Sequence, residues 1–155
     1  MRHCSWFLFT LLTLLAACAT PITPPPEFVQ LLDGGEGYRI VTADDARVRV
    51  RDLPDPTEGG AGFWATTLKN DLVQRGYEFV GEGAVADSTG VQGQWLEFTV
   101  NAQGERAGFL IAVWPRSKGW LKRRHHLQVV EFLARADVFA QRVDAVRKAL
   151  GSVRE

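Results

Sequence analysis

The chain has few residues of the types from which most catalytic and metal sites are built. Only two of its 155 residues are cysteine, and both, Cys4 and Cys18, lie within the first 18 positions. The remainder therefore has no thiol nucleophile, thiolate metal ligand or disulfide. Two of the three histidines, His125 and His126, are neighbours at the start of a predicted strand. Because neighbouring strand residues point to opposite faces, this pair is not predicted to share a metal ion.

Charge and motif content exclude further classes of function. The 18 lysines and arginines are balanced by 18 aspartates and glutamates, so the basic excess of a nucleic-acid-binding protein is missing. No G-x-S-x-G, S-x-x-K or Gly-Lys-Ser/Thr motif occurs. We therefore expect a non-catalytic protein that uses no cofactor, no metal ion and no nucleic acid.

The longest apolar run lies at the N-terminus and is too short for a comfortable membrane span. It follows a basic start and extends from Trp6 to Ala17, interrupted only by two threonines, whereas a membrane-spanning helix needs about 20 residues. A basic region, an apolar region and small residues, in this order, are typical of a secretory signal. The run ends in LAAC, Leu15 to Cys18, which resembles a bacterial lipobox.

The lipobox resemblance implies a lipid anchor. Residues 1–17 would be the signal peptide, and Cys18 would carry a diacylglyceryl group on its thiol and an acylated N-terminus. Two or more acyl chains hold a protein stably on a bilayer. Ala19 follows the cysteine, and by resemblance to enteric sorting signals this favours the outer membrane, facing the periplasm, over the inner membrane. The alternative is an ordinary cleaved signal with an incidental cysteine.

The segment after Cys18 is rich in proline. Residues 20–26, TPITPPP, contain four prolines, a composition that favours an extended polyproline II conformation of about 3.1 Å per residue. We expect residues 18–27 to form a stiff tether that lifts the domain off the membrane. Residues 28–155 are then long enough for a single domain with its own core.

Hydrophobic periodicity predicts about six strands and two helices beyond the tether. A helical turn is expected at 28–32 and a turn at 34–37. The strands are expected at 38–42, 47–53, 77–85, 95–102, 106–114 and 126–134. Three-to-four spacing of apolar residues predicts helices at 63–75 and 136–150. Since the run 108–114 is apolar on both faces, we expect an α+β fold with an antiparallel sheet and a helix on each face.

This pattern resembles the PsbP-like fold in three stretches. They are FWATTLKNDLVQRGY at 63–77, the strand meander at 95–114, and the ending at 129–154, where a strand leads into a phenylalanine-bearing helix. The resemblance implies an α/β/α sandwich and, because characterised PsbP-like proteins bind protein complexes, a binding or assembly-accessory module. A protein partner in an envelope complex is therefore expected. The alternative is a periplasmic carrier of a small hydrophobic ligand or lipid.

Two groups of positive charge are the candidate contact sites. The link at 114–126 suits an anionic bilayer surface or an acidic protein partner, and a solvated hairpin loop is the alternative. Its candidate residues are Arg116, Lys118, Trp120, Leu121, Lys122, Arg123 and Arg124. The strand at 47–53 places Arg47, Arg49 and Arg51 on one face. Such a stripe binds an anionic ligand or keeps an edge strand from pairing with other chains.

Overall fold

A computed structural model of the chain describes residues 20–31, 37–102, 104–118 and 124–155. These residues form one antiparallel sheet of seven strands and two helices, which confirms the predicted α+β class. The helices are α1 (Ala61–Gln74) and α2 (Ala136–Leu150). The strands are β1 (Val29–Gln30), β2 (Tyr38–Val41), β3 (Arg47–Pro54), β4 (Glu78–Ala86), β5 (Gln92–Ala102), β6 (Glu105–Lys118) and β7 (Arg124–Arg135).

The sheet has the strand order β1-β2-β3-β7-β6-β5-β4, and every neighbouring pair is antiparallel. The four strands β4 to β7 follow one another as a meander. β5 and β6 pair up to Ala102 and Glu105, and Gly104, which directly precedes β6, has a φ of +87°. β3 pairs with β7 although the two strands are far apart in the sequence, and Val50 lies opposite Val130. The long strands β6 and β7 are therefore central in the sheet.

Side chains that alternate along β6 enter two separate hydrophobic clusters. Leu110, Ala112 and Trp114 belong to a first cluster, which also contains side chains of α2. Ile111 and Val113 belong to a second cluster, which contains Ala65 of α1 and is packed against other α1 side chains. Because every residue from Leu110 to Trp114 is buried in one cluster or the other, the run is apolar at each position.

The helix α2 is held against the sheet by an aromatic contact. Phe139 stacks on Phe132 of β7, with ring centroids 4.9 Å apart and an interplanar angle of 13°. The Phe139 ring also lies directly over Gly108 of β6, where any Cβ would overlap it. Glycine at this position therefore allows the close approach of the helix to the sheet.

The helix α1 begins two residues earlier than its periodicity predicts and packs on β4, β5 and β6. Trp64, Leu68 and Leu72 lie against the second cluster. The chain leaves the helix through Gly76, whose φ of +89° is strained for other residues. The following Tyr77 N–H donates to the Leu72 carbonyl at 3.0 Å.

The proline-rich segment packs against the domain, which corrects the predicted tether for residues 20–27. Ile22 is completely buried, Pro25 is buried, and Phe28 makes an edge contact with Phe132. Burial of a large aliphatic side chain contributes about 1.5–3 kcal/mol. Prolines have little backbone freedom to lose on ordering, so the segment docks at a low entropic cost.

Backbone hydrogen bonds join this segment to the end of the chain. The Arg154 N–H donates to the Pro21 carbonyl at 3.0 Å, and the Arg154 guanidinium Nε donates to the Thr20 carbonyl at 2.8 Å. The Thr23 N–H donates to the Ser152 hydroxyl at 2.9 Å. The first and last described residues are therefore fastened together.

The chain then continues into β1 and not into the helical turn expected at 28–32. Val29 lies opposite Val41, and Gln30 lies opposite Ile40, in antiparallel pairing with β2. This short pairing adds a seventh strand to the expected six. The turn predicted at 34–37 falls almost entirely outside the described residues.

We predict that Ile22→Ala will lower the free energy of unfolding by about 2–5 kcal/mol, because it removes a fully buried side chain from the first cluster. Urea denaturation of a soluble chain that begins at position 18 as Cys18→Ser measures the effect. The matched control is Thr23→Ala, an exposed position in the same segment, for which a change within about 0.5 kcal/mol is expected. Equal stabilities for the two variants would contradict the docked arrangement.

Candidate functional site

The arginine stripe of β3 has the orientation predicted from its alternation. Val48 and Val50 are buried in the first cluster, and Arg47, Arg49 and Arg51 point the other way. However, β3 lies between β2 and β7 and is not an edge strand. The interpretation of the stripe as protection against edge pairing is therefore wrong, because both sides of β3 already have partner strands.

The stripe borders an open cleft of about 690 Å³. The register of the sheet explains its lining. Arg39 of β2, Arg49 of β3 and Glu131 of β7 lie opposite one another in one row. Val41, Arg47 and Leu133 form the next row. The remaining lining residues are Leu31, Asp45, Val48, Tyr77 and Phe109.

One end of the cleft is apolar. Phe109 of β6 lies opposite Leu133, which is 41% exposed although it is a large aliphatic residue in the interior of the sheet. The Tyr77 ring lies 5.7 Å from the Phe109 ring, between centroids. Because α1 packs on β4, β5 and β6, this apolar surface beside β7 remains open to solvent.

The other end of the cleft is lined by three arginines and two carboxylates. Arg51 donates to Glu131 at 2.6 Å, and Arg47 makes two hydrogen bonds of 2.8 Å to Asp45. Arg39 and Arg49 add two further guanidinium groups on directly opposed positions of neighbouring strands. Each of these two guanidinium groups also has an interaction partner within the structure, and Arg49 lies opposite Glu131 on the other neighbouring strand. Arg39 carries no alternating pattern of its own, and sequence reasoning missed it.

The second candidate site, the basic link, is only partly described. Trp120, Leu121, Lys122 and Arg123 lie outside the described residues, as does Cys18. Lys118 and Arg124 are the paired ends of β6 and β7. This candidate contact stays a prediction for those residues.

The expectation that Arg116 takes part in a surface contact is wrong, because its side chain is buried. The guanidinium forms an ion pair with Asp87, and its Nε and Nη2 donate to Gln128 Oε1 at 3.1 and 2.6 Å. The physical reason is that β6 continues to Lys118, four residues beyond the predicted end. Arg116 is therefore an inward-facing residue of a strand and not part of a loop.

Asp87 holds the other half of this buried pair and also closes a turn. Its Oδ1 accepts hydrogen bonds of 2.8 Å from the N–H groups of Thr89 and Val91. Burial raises the pKa of the Asp87 carboxyl, but the bonds from Arg116, Thr89 and Val91 outweigh burial and hold the pKa below its ordinary value of 3.8. The pairing of Asp87 with Arg116 spans 29 positions, and nothing local in the sequence signals it.

The two histidines have separate carboxylate neighbours. His125 Nε2 lies 3.6 Å from Glu58, and His126 Nε2 lies 3.9 Å from both Asp52 and Glu155. Within the described ranges, no group of three or more His, Cys, Asp or Glu residues is arranged to hold a metal ion. Within the same ranges, neither helix combines the length and hydropathy needed to cross a membrane.

No protein-family model and no curated protein matches the sequence. Among solved structures, the fold is similar to that of LpqN from Mycobacterium tuberculosis, a protein involved in cell envelope biogenesis. The TM-score is 0.64, the sequence identity is 12%, and the match covers 84% of this chain and 78% of LpqN. At this identity, the likeness shows a shared fold.

We predict that Asp87→Ala will lower the free energy of unfolding by about 3–5 kcal/mol at pH 7, because it leaves the Arg116 charge buried without its partner. Urea denaturation checks this value. Asp71→Ala, which breaks the exposed pair with Arg75, is the control and should change stability by less than about 1 kcal/mol.

The same pair makes stability depend on pH in a definite direction. Since the folded-state pKa of Asp87 is lowered, its contribution is complete above the unfolded value and is lost as the pH falls below about 4. The difference in stability between the native chain and Asp87→Asn should therefore shrink from pH 4 to pH 2. A constant difference would show that the ionised carboxylate is not what stabilises this region.

Proposed function

We propose that this protein is a lipid-anchored, non-catalytic binding module of the bacterial cell envelope. We further propose that its ligand binds in the open cleft lined by Arg39, Arg47 and Arg49, which we call the arginine cleft. The cleft is the observation that carries the proposal, because guanidinium groups and exposed apolar side chains line the same opening. Small-molecule sites are typically concave, largely apolar and equipped with a few polar groups that fix orientation. The cleft combines six apolar or aromatic lining residues with five charged ones.

The lining indicates the chemistry of the ligand. Guanidinium groups bind carboxylate or phosphate through paired, charge-assisted hydrogen bonds. Phe109, Tyr77 and Leu133 offer a surface for a hydrocarbon chain beside them. The proposed ligand is therefore a small amphiphile with an anionic group. This narrows the alternative expected from the sequence, a carrier of a small hydrophobic ligand or lipid, to a carrier of anionic amphiphiles.

The proposal includes the α/β/α layering of a PsbP-like domain, with one helix on each face of the sheet. It is supported by the two clusters, since alternate residues of β6 pack with α2 and with α1 respectively. The fold shared with LpqN, a protein of envelope biogenesis, is consistent with an envelope role. The protein partner that the PsbP-like resemblance implies stays a prediction.

We predict that Cys18 carries the lipid that anchors the protein and that the protein resides in the outer membrane. Intact-mass measurement should show an N-terminal Cys18 bearing acyl groups, and Cys18→Ser should release the chain into the soluble periplasmic fraction. Ala19→Asp is the control for sorting and should retain the protein in the inner membrane. A soluble native chain with an unmodified Cys18 would contradict the anchor.

We predict that Arg49→Ala will weaken binding of dodecyl phosphate at the cleft by about tenfold or more, because a hydrogen bond to a charged group contributes about 1.5–3 kcal/mol. Calorimetry below the critical micelle concentration measures the affinity. Leu133→Asp should weaken binding as well, through the loss of apolar contact.

Two comparisons make this test specific. Arg106→Ala removes an exposed arginine on β6 that pairs with Glu78, outside the lining of the cleft, and should leave the affinity unchanged. Dodecyl maltoside tests the apolar part alone and inorganic phosphate tests the anionic part alone, and both should bind more weakly than dodecyl phosphate. Equal losses in Arg49→Ala and Arg106→Ala would show that the cleft is not the site.

A further inference from the structure

The two ends of the described chain meet at one end of the sheet. Thr20 and Pro21 accept hydrogen bonds from Arg154, and the Arg154 carbonyl accepts one of 3.0 Å from Gln128 of β7. The turn at 87–91 joins the same place, since the Ser88 N–H donates to the Val153 carbonyl at 3.0 Å. We call this region, defined by Thr20, Arg154, the turn at 87–91 and the strand ends Lys118 and Arg124, the anchor pole.

Little chain separates the anchor pole from the proposed lipid anchor. Thr20 is only two positions from Cys18 in the sequence, and two residues span at most about 7 Å. The segment that follows Thr20 cannot act as a spacer, because Ile22 is completely buried and Thr23 bonds to Ser152. An acylated Cys18 therefore holds the folded domain itself against the bilayer.

The direction of β7 shows where the arginine cleft lies relative to the contact between Gln128 and Arg154. β7 runs four residues beyond Gln128 to its end at Arg124, a distance of about 13 Å toward the anchor pole. In the opposite direction, Leu133 of the arginine cleft lies five residues beyond Gln128, about 17 Å away along the strand. The ends of β6 and β7 and the cleft thus lie on opposite sides of the anchoring contact.

We infer that the anchor pole rests on the surface of the membrane that carries the anchor and that the arginine cleft faces away from it. The inference depends on the lipid anchor of the proposed function. The surface partner is the phospholipid bilayer into which the acyl chains of Cys18 insert. The cleft, about 30 Å from the strand ends, is then open to amphiphiles that arrive from the periplasm and is out of reach of lipids in the anchoring leaflet.

The absence of other thiols makes the orientation measurable. Cys4 leaves with the signal, and the sulfur of an acylated Cys18 is a thioether, so a single introduced cysteine takes a fluorescent maleimide alone. Ser117→Cys and Glu105→Cys are a matched pair, since both residues are exposed and both lie on β6. They are separated by twelve residues, about 40 Å of strand.

The experiment uses the full acylated protein in vesicles of phosphatidylethanolamine and phosphatidylglycerol that contain a head-group spin-labelled lipid as a short-range quencher. The label at position 117 is expected to lose most of its fluorescence, and the label at 105 is expected to lose almost none. Equal quenching at both positions, or stronger quenching at 105, would overturn the inference, because the domain would then have no fixed pole on the bilayer.

Intact mass, measured first, separates this result from the proposed function. A chain without acyl groups on Cys18 would overturn the anchor and the orientation together. An acylated chain with equal quenching would overturn the orientation alone. Binding of dodecyl phosphate is also measured on the same labelled proteins. This measurement tests ligand binding at the cleft separately from the lipid anchor and from the orientation.

Discussion

The continuous antiparallel pairing of β6 with β7 is the constraint on which the rest of the structure depends. It runs from the pair Ala107–Arg135 to the pair Lys118–Arg124 without a register shift. Side chains on the two strands alternate between the two hydrophobic clusters, so both helices pack against this ladder. The arginine cleft lies near one end of the ladder, and the anchor pole lies at the other.

A buried ion pair holds the anchor pole together. Removing charges from water costs several kcal/mol per ion, and this cost is offset only when the partners and their hydrogen bonds are complete. Arg116 meets both conditions through Asp87 and Gln128. Asp87 in turn holds the turn at 87–91, and Gln128 bonds to the backbone of Arg154. The last residues of the chain and the first described ones are thus fixed to the same end of the sheet.

The arginine cleft arises from an unequal covering of the sheet. α1 packs on β4, β5 and β6, whereas β2 and β3 lie on the other side of β7. On that side the exposed Leu133 and the arginines of β2 and β3 are left in one opening. The proposed amphiphilic anion would contact both the basic and the apolar residues of this opening, and a domain held by its opposite pole would present the opening to the periplasm.

Local periodicity alone determined the α+β class, the two helices, six of the seven strands to within a few residues, and the facing of Arg47, Arg49 and Arg51. These properties depend on residues close together in the chain. The tertiary structure decided that β3 is an interior strand, that Arg39 joins the cleft, that Arg116 is buried with Asp87, and that Ile22 belongs to the core. Each of these depends on segments that are distant in the chain. Arg116 pairs with Asp87, 29 positions away, and Arg51 of the interior strand β3 bonds to Glu131 of β7, 80 positions away. The physical reason is that a side chain's periodicity records which way it points, whereas its burial and charge pairing depend on which distant segment packs there.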